Sequence, residues 1–116
     1  MKINYNNFQK KINIKFKDKK ILIKSLTHKS FDKNNNNEKL EFLGDRVIGL
    51  VISKKLLFLY PKDKEGVIDK KFASLVNKKK CLQIANKIGL YRFIRVGKQM
   101  NNKENKIQPK ILSDCC

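Results

Sequence analysis

The sequence predicts an all-α domain, and three observations carry that prediction. Apolar residues recur at helical spacing through most of the chain. No stretch keeps the strict alternation of a half-buried strand. A long apolar segment, from about 38 to 59, runs without interruption up to a proline. At 116 residues with 41% hydrophobic content, the chain is one domain at most, with enough apolar material for a modest core.

The elements follow in order. The opening "MKINYNNFQKK" has no apolar run, so no signal peptide is expected, and no element is assigned before Asp18. "DKKILIKSLTHKS" and the next residue bring Ile21, Leu22, Leu26 and Phe31 near helical spacing, with Asp18 as a candidate N-cap. "FDKNNNN" reads as a polar loop, and Asn36 or Asn37 caps the next helix. Glu38 then falls in a first turn, where the helix dipole favours an anion. That helix runs to about Tyr60, and Pro61 limits it. It is apolar nearly all round, which predicts a buried central helix. "PKDKEG" is a turn, with Glu65 beside Gly66. Beyond it, one or two helices carry Val67, Phe72, Leu75 and Val76 on one face and Leu82, Ile84, Ala85 and Ile88 on another. Gly89 is a C-terminal stop. "YRFIRVGK" either extends a helix or makes an extended link. "QMNNKENKIQPK" has almost nothing to bury and is the stretch most prone to disorder. In "ILSDCC", Ile111 and Leu112 read as the first turn of a helix that continues past the chain.

The net charge of +18 points to a polyanionic partner such as nucleic acid. Part of it is compositional, because only Arg46, Arg92 and Arg95 among the 28 basic residues are arginine. The cysteines, Cys81, Cys115 and Cys116, are odd in number and form no Cys-x-x-Cys pair. That argues against a disulfide framework or zinc site and fits a reducing, cytoplasmic compartment. The apolar run Val47 to Ile52 is far too short to span a bilayer, so no membrane association is expected.

Against this basic background, "NEKLEFLGDRVIGL" sets Glu38, Glu41 and Asp45 in the most apolar segment. On a helix these positions lie within about 60° of arc. Like charges so placed repel, and burial makes each costlier. Two things can offset that: basic side chains from elsewhere in the chain, or a divalent cation, since carboxylate oxygens suit magnesium or manganese. Spacing alone leaves both open. Phe42 is expected roughly opposite the acids, as a core residue or an interface residue. His28 reads as a hydrogen-bonding residue at a helix end. Lys78, Lys79 and Lys80 read as a solvated run with phosphate contact as the alternative.

The string "NEKLEFLGD" followed by an apolar run resembles the signature of the ribonuclease III family of double-strand-specific endoribonucleases. "FKDKKILIKSLTHKSF", "EGVIDKKFASLVNKKKCLQIANKIGL", "IRVGK" and "ILSD" resemble its other landmarks, in the family's order and over nearly the whole chain. The resemblance implies a helical endonuclease domain over residues 1–116 that hydrolyses phosphodiester bonds in double-stranded RNA during rRNA and mRNA processing. It implies Mg2+ as cofactor, with Mn2+ able to substitute. Glu41, Asp45 and Asp114 become catalytic and metal-binding carboxylates, and Glu38 and Glu65 accessory acids near the RNA. Phe42 becomes a contact across a homodimer interface. The resemblance also implies that a fourth carboxylate, a closing helix and a double-stranded-RNA-binding domain lie beyond Cys116, so this stretch is expected to be C-terminally truncated and weakly active or inactive. The alternative is a non-catalytic RNA-binding or ribosome-associated module on the same fold.

Overall fold

The structure, a computed structural model, describes residues 2–98 and 107–116. Most of the stretch predicted to be disorder-prone lies outside the described residues. The helices are α1 (Tyr5–Ile12), α2 (Lys19–Ser25), α3 (Glu38–Leu59), α4 (Glu65–Leu75), α5 (Lys78–Lys87) and α6 (Pro109–Cys115). A short 3-10 turn spans Leu90–Arg92. The all-α prediction holds: among the described residues there is no strand, only an isolated bridge between Thr27 and Arg95.

Local chemistry sets most of the boundaries. The Asp18 carboxylate accepts from the Lys20 N–H at 2.9 Å and starts α2, as predicted. Pro61 follows the last turn of α3, and Tyr60 closes it by donating to the Leu56 carbonyl at 2.9 Å. Gly89 takes φ 64°, the left-handed conformation that ends α5 and turns the chain into the 3-10 segment. One helix was not foreseen. Asn4 caps α1 through a 3.0 Å bond from the Asn7 N–H, and Ile3, Tyr5, Phe8 and Ile12 all reach the core. Their spacing is a helical signal, short and interrupted by Asn and Lys.

The "FDKNNNN" stretch is a built turn rather than a plain polar loop. The Asp32 carboxylate accepts from the Asn34 and Asn35 N–H groups, both at 3.0 Å, and these bonds hold its pKa below the ordinary value. The Asn36 amide donates to the Asp32 and Lys33 carbonyls, and its oxygen accepts from the Glu38 N–H at 3.1 Å. So Asn36 satisfies the start of α3, although Asn37 occupies the capping position.

The core lies away from α3. It consists of Phe8, Leu22, Leu26, Ala85, Leu90, Phe93, Ile94, Ile111 and Leu112, drawn from α1, α2, α5, α6 and the 3-10 turn. The Phe8 and Phe93 rings pack with centroids 4.8 Å apart. Leu22 is 1% exposed at the centre. Leu22→Ala is expected to cost about 2–5 kcal/mol of folding free energy, the range for truncating a buried leucine, read from urea or thermal unfolding.

The expectation that α3 is buried is therefore corrected. Only Leu56 of α3 is buried, while Phe42, Leu43, Val47, Leu50, Val51 and Phe58 are exposed. α4 folds back against it, and the Phe72 ring meets the helix where Gly49 leaves room. Lys71 ties the intervening turn to α4 by pairing with Asp63, with its ammonium over the Tyr60 ring. The other apolar sides of α3 have no cover among the described residues. A uniformly apolar helix needs a partner surface, and periodicity does not say whether the same chain supplies it.

Candidate active site

Glu41 and Asp45 sit one turn apart near the start of α3. Asp114 comes from α6, at the other end of the sequence. All three line one cavity of about 260 Å³, whose remaining wall includes Asn77, Lys78, Cys81 and Ser113. Three features bring α6 there. Ile111 and Leu112 are buried in the core, α6 packs against α5, and Asn37 at the head of α3 donates its side-chain N–H to Cys115 Sγ at 2.9 Å across 78 positions of sequence. Burial, then the Asp114 carboxylate, push the Cys115 thiol up to about 12, so it stays protonated and serves as a packing group.

The electrostatics are those of a crowded acidic site. The Glu41 carboxyl is raised above its ordinary value of 4.5, first by burial and then by repulsion from Asp114 and Asp45. Among the described residues the ion pairs are Lys29–Glu38 at 3.4 Å and Lys71–Asp63, so none of the three cavity carboxylates is paired. Because the folded state raises this pKa, the folded protein binds more protons than the unfolded one above pH 4.5. Stability from Glu41 is thus lost as pH rises through the raised value. Glu41→Gln is expected to raise the melting temperature of the metal-free protein at neutral pH, and to reduce the further rise on adding magnesium. Thermal unfolding with and without chelator checks both.

The other predicted residues are placed elsewhere. Glu38 shares the helix face but pairs with Lys29 and does not line the cavity. Glu65 is not in the turn. It is the first residue of α4, exposed and away from the cavity, where it favours the positive helix end. Phe42 follows Glu41 directly, about 100° around the helix, so it flanks the acids instead of opposing them. It is 62% exposed, with the Arg46 guanidinium 3.7 Å from its ring centre. His28 accepts from the Ser30 N–H at 3.1 Å and is held neutral chiefly by burial and by Lys29, in keeping with its reading as a hydrogen-bonding residue.

Sequence reading missed Asn77 and Ser113 and did not single out Lys78 within its run. Asn77 caps α5, accepting from the Lys80 N–H at 2.8 Å, which sets the start of α5 beside the carboxylates. The cap was legible; its position beside α3 was not.

The donor set of Glu41, Asp45 and Asp114 is all oxygen and negatively charged, which suits a hard divalent ion. Among the described residues no three Asp, Glu, His or Cys side chains are gathered tightly enough to hold a metal ion as they stand. The chemistry fits such an ion, while the side chains are in an open arrangement around the cavity.

Comparison with known proteins agrees across sequence and structure. A family profile described as Ribonuclease-III-like matches residues 18–116. The Ribonuclease 3 of Pelagibacter ubique (strain HTCC1062) is 64% identical over 115 residues, 99% of this chain and 51% of that protein. The Ribonuclease 3 of Campylobacter jejuni subsp. jejuni serotype O:2 is 45% identical over 111 residues, 96% of this chain and 50% of that protein. A solved nuclease domain of ribonuclease III from Campylobacter jejuni, reported for structural flexibility in a region involved in dimer formation, superposes with a TM-score of 0.90 at 45% identity. It covers 97% of this chain and 78% of that one. The chain spans about half the length of the curated relatives it matches. With the helical fold, the convergent carboxylates and a match of this extent in agreement, the chain belongs to the ribonuclease-III-like family.

Proposed function

We propose that this chain is the nuclease domain of a magnesium-dependent endoribonuclease that hydrolyses phosphodiester bonds in double-stranded RNA, in the processing of rRNA and mRNA in the cytoplasm. The observation that carries the proposal is that Glu41, Asp45 and Asp114, from distant parts of the sequence, line one cavity with no ion pair to any of them among the described residues. Glu41, Asp45 and Asp114 would hold Mg2+, with Mn2+ able to substitute. When bound, the ion would supply Lewis acidity, lowering the pKa of a water and offsetting charge on the phosphate. Lys78, on the same cavity wall, contributes a cation toward the RNA backbone. The lysine-rich surface provides sequence-independent, salt-dependent affinity for the duplex. Glu38 and Glu65 act at the margins of the RNA path, outside the cavity.

We further propose that the domain works as a homodimer through the Phe42 side of α3. The exposed apolar residues of that helix support this, as does the dimer-forming region of the Campylobacter jejuni nuclease domain. No helix among the described residues is long and apolar enough to cross a membrane.

The test is a cleavage time course on a labelled RNA duplex, using the chain extended to the full length of its relatives. Cleavage is expected with magnesium and manganese and is expected to cease in a chelator. Equal cleavage in the chelator overturns the metal assignment. Binding without cleavage under any divalent ion favours the non-catalytic RNA-binding module.

A further inference from the structure

A second cavity, of about 860 Å³, has Arg95 of the Thr27–Arg95 bridge in its wall. Its size is within the range of small-molecule sites. Its lining is unusual for this chain. The protein has only three arginines, and two of them, Arg92 and Arg95, are here with Lys2. Three aromatic residues, Tyr5, Phe31 and Tyr91, share the wall.

Hydrogen bonds set both arginines. Arg95 donates from Nε to Thr27 Oγ1 at 2.9 Å, and its guanidinium lies 4.6 Å from the Phe31 ring centre. Its backbone N–H donates to the Leu26 carbonyl at 2.8 Å, so the residue is fixed at both ends. Arg92 donates from Nε to the Tyr91 hydroxyl at 3.0 Å. Neither forms an ion pair among the described residues. The fork of each guanidinium keeps N–H groups to spare after these single bonds. Tyr5 contributes its ring to the wall, while its hydroxyl is sealed from solvent and out of a ligand's reach.

We infer that this cavity binds a phosphate monoester attached to a planar ring, that is, a nucleoside monophosphate or the 5′-phosphorylated end of an RNA strand. Arg92 and Arg95 take the phosphate oxygens, and Phe31 and Tyr91 supply ring faces for the base. Arginine is the residue suited to this geometry, because its planar fork matches a phosphate bidentately and stacks on aromatic rings. The lysines elsewhere attract polyanions without such geometry. The site is separate from the acidic cavity, so the inference stands apart from the nuclease reading.

The experiment titrates adenosine 5′-monophosphate into the 116-residue chain by calorimetry, with circular dichroism confirming that each variant is folded. Saturable binding of one nucleotide per chain is expected, with inorganic phosphate competing more weakly. Arg92→Ala, a change at an exposed residue, should weaken binding by about tenfold or more, the loss of a charged hydrogen bond. Tyr91→Ala, at another exposed residue of the wall, should weaken it several-fold by removing a ring face, with the melting temperature of the free chain unchanged. Competition by 5′-phosphorylated single-stranded RNA identifies an RNA end as the source, and its failure to compete identifies a free nucleotide. Either result sustains the site. Absence of saturable binding, or nucleotide binding that is unaltered in both variants, overturns it.

Discussion

Asp45→Asn, made in the chain extended to the length of its relatives, is expected to abolish magnesium-dependent cleavage of duplex RNA while leaving duplex binding intact. The substitution changes almost no volume. It removes one negative charge and one anionic oxygen ligand from a cavity that Asp45 shares with Glu41 and Asp114. Loss of an outer partner of a metal ligand already costs about 10–100-fold in affinity or activity, so loss of a ligand itself should cost about 100-fold or more. Binding rests on a different part of the molecule, the lysine-rich surface behind the net charge of +18, and falls with salt. The two properties should therefore separate. A gel shift and a cleavage time course on the same labelled duplex measure both. Cleavage by the variant at the rate of the unsubstituted protein would show that the carboxylate cluster is structural.

Phe42→Glu is expected to turn a homodimer into a monomer. Phe42 is 62% exposed and lies on a helix whose other exposed apolar residues include Leu43, Val47, Leu50 and Phe58. In a two-fold interface the same surface meets its own copy, so one substitution introduces two carboxylates into a desolvated contact. Each must shed its water even with Arg46 one turn away, and truncation of a buried anchor alone costs about 2 kcal/mol or more. The dissociation constant should rise by about 30-fold or more, which sedimentation across a concentration series detects. Ile14→Glu, at another exposed apolar position, serves as the control and should leave association unchanged. A monomer in the unsubstituted full-length protein at high concentration would remove the dimer from the proposal.

The sequence alone determined the helical class, the extent of α3 and several helix ends, because those depend on nearest neighbours. A carboxylate at Asp18 finds an N–H two residues on, Pro61 cannot continue a helix, and Gly89 can adopt a positive φ. The i, i+3, i+7 spacing likewise put Glu38, Glu41 and Asp45 on one face before any coordinates existed. Asp114, which lines the same cavity, was singled out in the sequence only through family resemblance, since no local rule links α6 to α3.

Tertiary structure decided what those faces meet. It separated Glu38, which turns to Lys29, from Glu41 and Asp45, which reach the cavity. It drew Asn77 and Lys78 to the same cavity, a placement that depends on where packing puts the start of α5 and not on the composition of the helix. It put the core around Leu22, Phe93 and Leu112 and left α3 largely uncovered. Hydrophobic periodicity records that a surface must leave water, because the driving force is non-directional and scales with area. It holds no information about which surface, of the same chain or another, does the covering, and that choice is made only when the elements pack.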